Sequence, residues 1–155
     1  MKLVIAGDHA SPALKRSLIS HLRSRGHEVT DLGTEGECSV DYPDYAAAAC
    51  QAVLAGRAER GVLICGSGIG ISIAANKIDG IRCGLAHSPQ TGRLAWEHNH
   101  AQILAIGARI LDPAAAAATV DAWLEAKADE GPRHLNRIAK ITALEHSPCS
   151  TGSKA

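Results

Sequence analysis

Cys65, Gly66, Ser67, Gly68 and Gly70 stand where an apolar run, Gly61 to Ile64, gives way to a stretch of helical spacing that closes at Asn76 and Lys77. The pattern reads as a buried strand, a tight glycine turn and a helix start. Glycines adopt backbone angles closed to other residues and let a ligand approach the main chain. N–H groups at a helix start point into that space and favour negative charge. A thiol at its edge is a candidate base, because the same field stabilises a thiolate. The plainer alternative is a small core residue that happens to end a strand. G-x-G-x-G lacks the third glycine of a dinucleotide fingerprint, and no Gly-Lys-Ser/Thr follows as in a P-loop, so nucleotide binding is disfavoured.

Two further groups carry chemistry. His98-Asn99-His100 lies just past an expected helix. Histidines are common metal ligands, but no carboxylate or cysteine stands at a recognisable spacing, so H-x-H reads as polar surface and no metal is expected. Arg133 and Arg137 are four residues apart, on one face of an expected final helix. Their forked guanidinium groups suit a phosphate; a solvated helix face is the alternative.

These residues need elements to hold them. Short apolar runs at 2–6, 28–32, 61–65, 81–86 and 102–106 read as strands. Amphipathic or alanine-rich stretches at 12–25, 42–55, 89–97, 113–128 and 133–145 read as helices, as does the stretch after Gly70. In the first of these, basic residues separate the apolar positions. Strands alternating with helices at this pace give an α/β fold with a parallel sheet. Ligands of such sheets sit beyond the carboxyl ends of the strands. Asp8 and His9, Cys65 to Gly70, and Gly107 to Arg109 all follow strands, so one rim should gather them.

The chain has 155 residues, enough for one domain, expected over 1–146 with a frayed tail at 147–155. Sixteen basic residues balance sixteen acidic ones, so no bulk field draws nucleic acid or an anionic membrane. Aromatics at 3% leave little to stack on bases. No run reaches membrane-spanning length, and Met1-Lys2 leads directly into a strand. Five cysteines, odd in number and without C-x-x-C spacing, fit a reducing cytoplasm. Cys38, Cys50, Cys83 and Cys149 are given no role.

GDHA (7–10), DYPDYA (41–46), VLICGSGIG (62–70), SIAANK (72–77), EHNHAQILAIGARI (97–110) and GPRHLNRI (131–138) resemble, in order and spacing, the type B ribose-5-phosphate isomerases. That family also holds galactose-6-phosphate and allose-6-phosphate isomerases. The resemblance runs from residue 3 to about 145. It implies a Rossmann-like three-layer α/β/α sandwich with a five-stranded parallel sheet. It implies aldose–ketose isomerisation of ribose 5-phosphate and ribulose 5-phosphate through an enediolate. Cys65 would be the base; the Gly66–Gly70 turn, Ile69 included, would hold the oxyanion, with Ser67 adding a hydroxyl. His98 would open the sugar ring. Asp8 and His9 would contact substrate, and Arg133 and Arg137 would grip its phosphate. Asn99 and Arg109 would complete the pocket from the second subunit of a homodimer or tetramer. No metal or organic cofactor is implied.

The departures from the family pattern are Ser67 where threonine is common, Ser11-Pro12 after GDHA, and His100 where an acidic residue is common. They leave a four- or six-carbon sugar phosphate open as substrate. A non-catalytic sugar-phosphate binding module is the reading of another class.

Overall fold

The computed structural model describes residues 1–36 and 38–145. The tail expected to fray, and Cys149 within it, lie outside the described residues. Five strands, β1 (Lys2–Gly7), β2 (Glu28–Asp31), β3 (Arg60–Cys65), β4 (Cys83–Leu85) and β5 (Ile103–Gly107), form one parallel sheet in the order β2-β1-β3-β5-β4. Six helices accompany them: α1 (Pro12–Ser24), α2 (Tyr42–Leu54), α3 (Ile69–Ala75), α4 (Pro89–Asn99), α5 (Pro113–Glu125) and α6 (Pro132–Leu144). The expected α/β class and five-stranded parallel sheet are borne out.

The three central strands are apolar at nearly every position because both of their faces are covered. Alternate residues serve alternate faces. Leu3, Ile5, Val62, Ile64, Leu104 and Ile106 pack with Leu14, Leu18 and Leu22 of α1 and with Val120 and Trp123 of α5. Val4, Ala6, Leu63, Cys65, Ile103 and Ala105 pack with α2 and α3 through Ala46, Ala49, Cys50, Ile71 and Ala75. Cys65 therefore belongs to the second layer and ends its central strand.

Helix starts follow local chemistry. Pro12, Pro43, Pro89, Pro113 and Pro132 each occupy a first-turn position, where a missing N–H costs no hydrogen bond. Ser88 and Thr91 close a capping box on α4, and the Asp112 carboxylate accepts from Ala115 N–H on α5. Two expected boundaries shift. Helix α4 runs on to Asn99, so His98 and Asn99 lie in its last turn, and His100 caps it in the left-handed conformation at φ 45°. Helix α5 stops at Glu125, because Ala126 is extended.

One of the basic residues that separate the apolar positions of α1, Lys15, is fully buried. Its ammonium is 2.8 Å from Asp31 Oδ2 and 2.7 Å from Glu35 Oε1, and donates to the Thr34 carbonyl at 2.9 Å. Thr34 N–H in turn donates to the Gly7 carbonyl at 3.2 Å. The buried cation thus ties the loop after β2 to the end of β1. At the opposite end of the sheet, Arg60 lies over the Trp96 ring at 3.3 Å and donates to the Trp123 carbonyl at 2.9 Å. Burial pulls its guanidinium down to about 10. A desolvated cation on an aromatic face is a strong clamp, here between the start of β3 and two helices.

Candidate active site

Strand order reverses beside β1: its chain continues to β2 on one side, while β3 lies on the other. Such a switch point leaves a crevice beyond the carboxyl ends of the strands. A cavity of about 590 Å³ lies there, lined by Asp8, His9, Ala10, Tyr42, Cys65, Gly66, Ser67, Ile69, Gly70, Arg109 and Ile110. The single rim expected from the sequence is the one observed.

Its groups are held by the main chain. Cys65 is 4% exposed, and its sulfur accepts from Gly68 N–H at 3.1 Å. That bond fixes the sulfur within the turn. Helix α3 has only seven residues, so this local donor matters more than a long helix dipole. Ser67 Oγ accepts from Ile69 N–H at 3.2 Å, which leaves its hydroxyl proton for a ligand. Gly68 and Ile69 N–H are thus engaged within the turn itself.

Asp8 Oδ1 accepts from Ala10 N–H at 2.9 Å. His9 Nδ1 accepts from Val40 N–H at 3.2 Å, so its neutral ring carries the proton on Nε2 as a donor. Gly68 has φ +78°, and a Cβ there would sit 2.8 Å from the Ile106 carbonyl carbon. Only glycine fits this position.

Three contributors had no expected site role. Tyr42 lies against Gly70, where a Cβ would come within 2.7 Å of its hydroxyl. An aromatic opening a helix in a chain of so few aromatics was the available signal. His87 Nε2 reaches the Ser67 carbonyl at 3.1 Å and orients the turn from beside β4. His134 stacks on His98, with ring centroids 4.3 Å apart. Neither histidine contact has a sequence signal, since each joins residues brought close only by the fold.

Arg109 stands on the rim that the strand rule expects, on its own chain and not on the second subunit that the resemblance implied. It lines the same chain's cavity, its Nη1 3.2 Å from where a Cβ on Gly66 would lie. Backbone bonds from Ala108 N to Cys65 O (2.8 Å) and from Arg109 N to Gly66 O (2.9 Å) hold it there.

The remaining expected residues are elsewhere. Helix α4 starts at the carboxyl rim after β4 and runs back to the amino ends of the strands. There Arg82, which precedes β4, donates to the carbonyls of Asn99 (2.9 Å) and His100 (3.0 Å). An eleven-residue helix spans about 16 Å, so His98 and Asn99 sit a helix length away from the end that carries Cys65. Asp129 N–H donates to the Glu97 carbonyl at 2.8 Å, which brings the start of α6 to the same end. Arg133 and Arg137 are exposed on α6, with no ion pair among the described residues. One chain therefore presents two half-constellations at opposite ends of its sheet.

Known proteins share this arrangement of sequence and fold. The family model for ribose/galactose isomerase matches residues 3–141. Ribose-5-phosphate isomerase B of Escherichia coli is 44% identical over 144 residues, 93% of this chain and 96% of the relative. The D-erythrulose-4-phosphate isomerase of Pectobacterium atrosepticum is 36% identical, over 94% and 96%. The solved ribose-5-phosphate isomerase B of Clostridium thermocellum superposes with a TM-score of 0.91 at 46% identity, covering 94% of this chain and 97% of its own.

Proposed function

This chain belongs to the ribose/galactose isomerase family, and from that premise we propose that it interconverts D-ribose 5-phosphate and D-ribulose 5-phosphate through a cis-enediolate. The observation that carries the chemistry is the Cys65 sulfur, held by a backbone N–H inside a glycine turn at the floor of the rim cavity. The thiolate takes the C2 proton of the open-chain aldose. The electron pair forms the C1–C2 enediolate, with negative charge on O1. The thiol returns its proton to C1 while a proton passes from O2 to O1, leaving a carbonyl at C2. The demanding part is charge on oxygen, so pre-aimed donors matter most; each is worth about 3–4 kcal/mol. The turn N–H groups and the Ser67 hydroxyl serve that charge. Arg109, Asp8 and His9 Nε2–H position the sugar and its phosphate end.

Ring opening and the remote phosphate grip fall to His98, Asn99, Arg133 and Arg137. Those residues lie a helix length away from the sulfur of their own chain, so the complete site needs a second copy that brings its amino-end group to this rim. We therefore read the working enzyme as a homodimer, or a tetramer built from such dimers, with each site shared between subunits. Free thiols at Cys38, Cys50, Cys65 and Cys83 suit the reducing cytoplasm in which we place it. No helix among the described residues is long and apolar enough to cross a membrane.

The test is proton transfer itself. The protein is incubated with ribose 5-phosphate in deuterated water and followed by NMR. Ketose should appear with deuterium at C1, and the recovered aldose should carry it at C2. If neither product nor exchange appears, the five-carbon reading falls. The Pectobacterium relative makes a four-carbon sugar phosphate the second reading, and a panel of four- and six-carbon phosphates in the same assay decides it. Silence across that panel, with binding retained, would leave a sugar-phosphate binding module.

A further inference from the structure

We propose that His98, Asp129 and His134 form a binding site for a divalent transition-metal ion of the zinc class, and that an ion held there silences His98. The second half rests on the ring-opening reading of His98; the first stands on geometry alone.

The three residues come from different segments: His98 from the last turn of α4, Asp129 from the linker after α5, and His134 from the first turn of α6. Their donor atoms nevertheless lie within 4.8 Å of one another. The two imidazole rings stack at a centroid distance of 4.3 Å and an interplanar angle of 15°. His134 Nε2 is 3.5 Å from Asp129 Oδ2. The nearest carboxylate to His98 Nε2 on its own helix, Glu97 Oε1, is 3.7 Å away, too far for a hydrogen bond. His100, the other half of the H-x-H pair, is directed elsewhere and stacks on Trp96.

The cluster is also braced. Asp129 N–H donates to the Glu97 carbonyl at 2.8 Å, which pins the linker to the turn that carries His98. Gly131 N–H donates to Asp129 Oδ1 at 2.7 Å, which turns Oδ2 towards His134. Bracing of a ligand carboxylate by an outer hydrogen bond is the usual support of a metal site. Two imidazole nitrogens and one carboxylate oxygen suit zinc and its neighbours, whereas magnesium and calcium take all-oxygen shells. Tetrahedral bonds of about 2.1 Å place ligand atoms about 3.4 Å apart. Small rotations of the rings and the carboxylate close the remaining gap, and a fourth position stays open to water. An ion so bound takes up a ring nitrogen of His98 and fixes the ring, which removes the free imidazole that the ring-opening reading requires.

Cobalt(II) is the probe, added to chelator-stripped protein and followed by visible absorption. The expected result is one ion per chain with a tetrahedral band and no sulfur charge transfer. Asp129→Asn and His134→Gln should each weaken binding at least about tenfold. Cys65→Ala should bind as the parent does. Absence of a saturable band, or unchanged affinity in both ligand variants, would overturn the site. In the isomerase assay zinc should inhibit the parent, a chelator should restore it, and Asp129→Asn should need about tenfold more zinc. Cobalt binding without zinc inhibition would uphold the site and overturn the silencing of His98. The deuterium experiment, run without metal, tests the isomerase reading separately.

Discussion

At the carboxyl rim every reactive group rests on main chain: Cys65 on Gly68, Ser67 on Ile69, Asp8 on Ala10, His9 on Val40. At the amino end the groups ride on helix termini, and α6 buries none of its residues. The first region sits behind three strands packed on both faces, while the second extends beyond them. The contrast separates two kinds of work. Stabilising charge that develops on one oxygen requires donors fixed before the reaction begins. Gripping a phosphate needs charge and reach, and tolerates groups that are ordered on binding.

The sharpest way to break the comparison is to remove the proposed rim base. Cys65→Ala should lower kcat/KM about 10³-fold while the circular dichroism spectrum and thermal midpoint stay near the parent's. A small drop would take the chemistry away from the rim. The next test asks whether the halves cooperate across chains. Cys65→Ala and His98→Asn chains, each nearly inactive alone, should recover about a quarter of parental activity when co-expressed. That figure assumes random pairing, with half of the dimers mixed and one intact site in each. Failure of hybrids to recover activity would confine catalysis to one chain. Weaker in effect, Arg137→Ala should raise KM for the sugar phosphate about tenfold with a smaller change in kcat, as initial rates against substrate would show. A loss confined to kcat would move Arg137 from binding into chemistry.

The smallest effect on turnover, though not on stability, should come from behind the rim. Lys15→Met leaves Asp31 without its buried cation, and urea unfolding should register a loss of about 3 kcal/mol. The same variant alters the acid limb. The Lys15 ammonium, through its hydrogen bond, holds the Glu35 carboxyl below its ordinary 4.5. A lowered folded value means that Glu35 adds stability in full above 4.5 and loses it as pH falls through the folded value. In Lys15→Met that portion of the acid slope should shrink in a pH series of melting temperatures.

Much of the rim was legible in the sequence. Leu3 to Ala6, Val62 to Cys65 and Ile103 to Ile106 are apolar runs too short for helices and flanked by glycine or polar residues, so strands followed. Once they are parallel, the carboxyl-end rule brings Asp8, Cys65 and Arg109 together. What stayed hidden depends on three-dimensional neighbours. Lys15 looks like its exposed neighbour Arg16 until Asp31 and Glu35 close over it. For Arg109 the strand rule points to this rim and the resemblance to a partner, and only the fold-back of the loop after β5 onto Gly66 decides between them. His134 gave no sign of stacking on His98, since the turn between α5 and α6 that joins them has no periodic pattern.

Helix α6 carries Leu135, Ile141 and Leu144 exposed at 43%, 42% and 72%, and its own chain gives it no core to rest on. A lone helix of thirteen residues is marginal in water. Where a second copy covers that face, association and the ordering of the proposed phosphate grip become a single event governed by mass action. Specific activity should then depend on how concentrated the enzyme is, falling on dilution below the dissociation constant of the pair and rising again when substrate draws the subunits together.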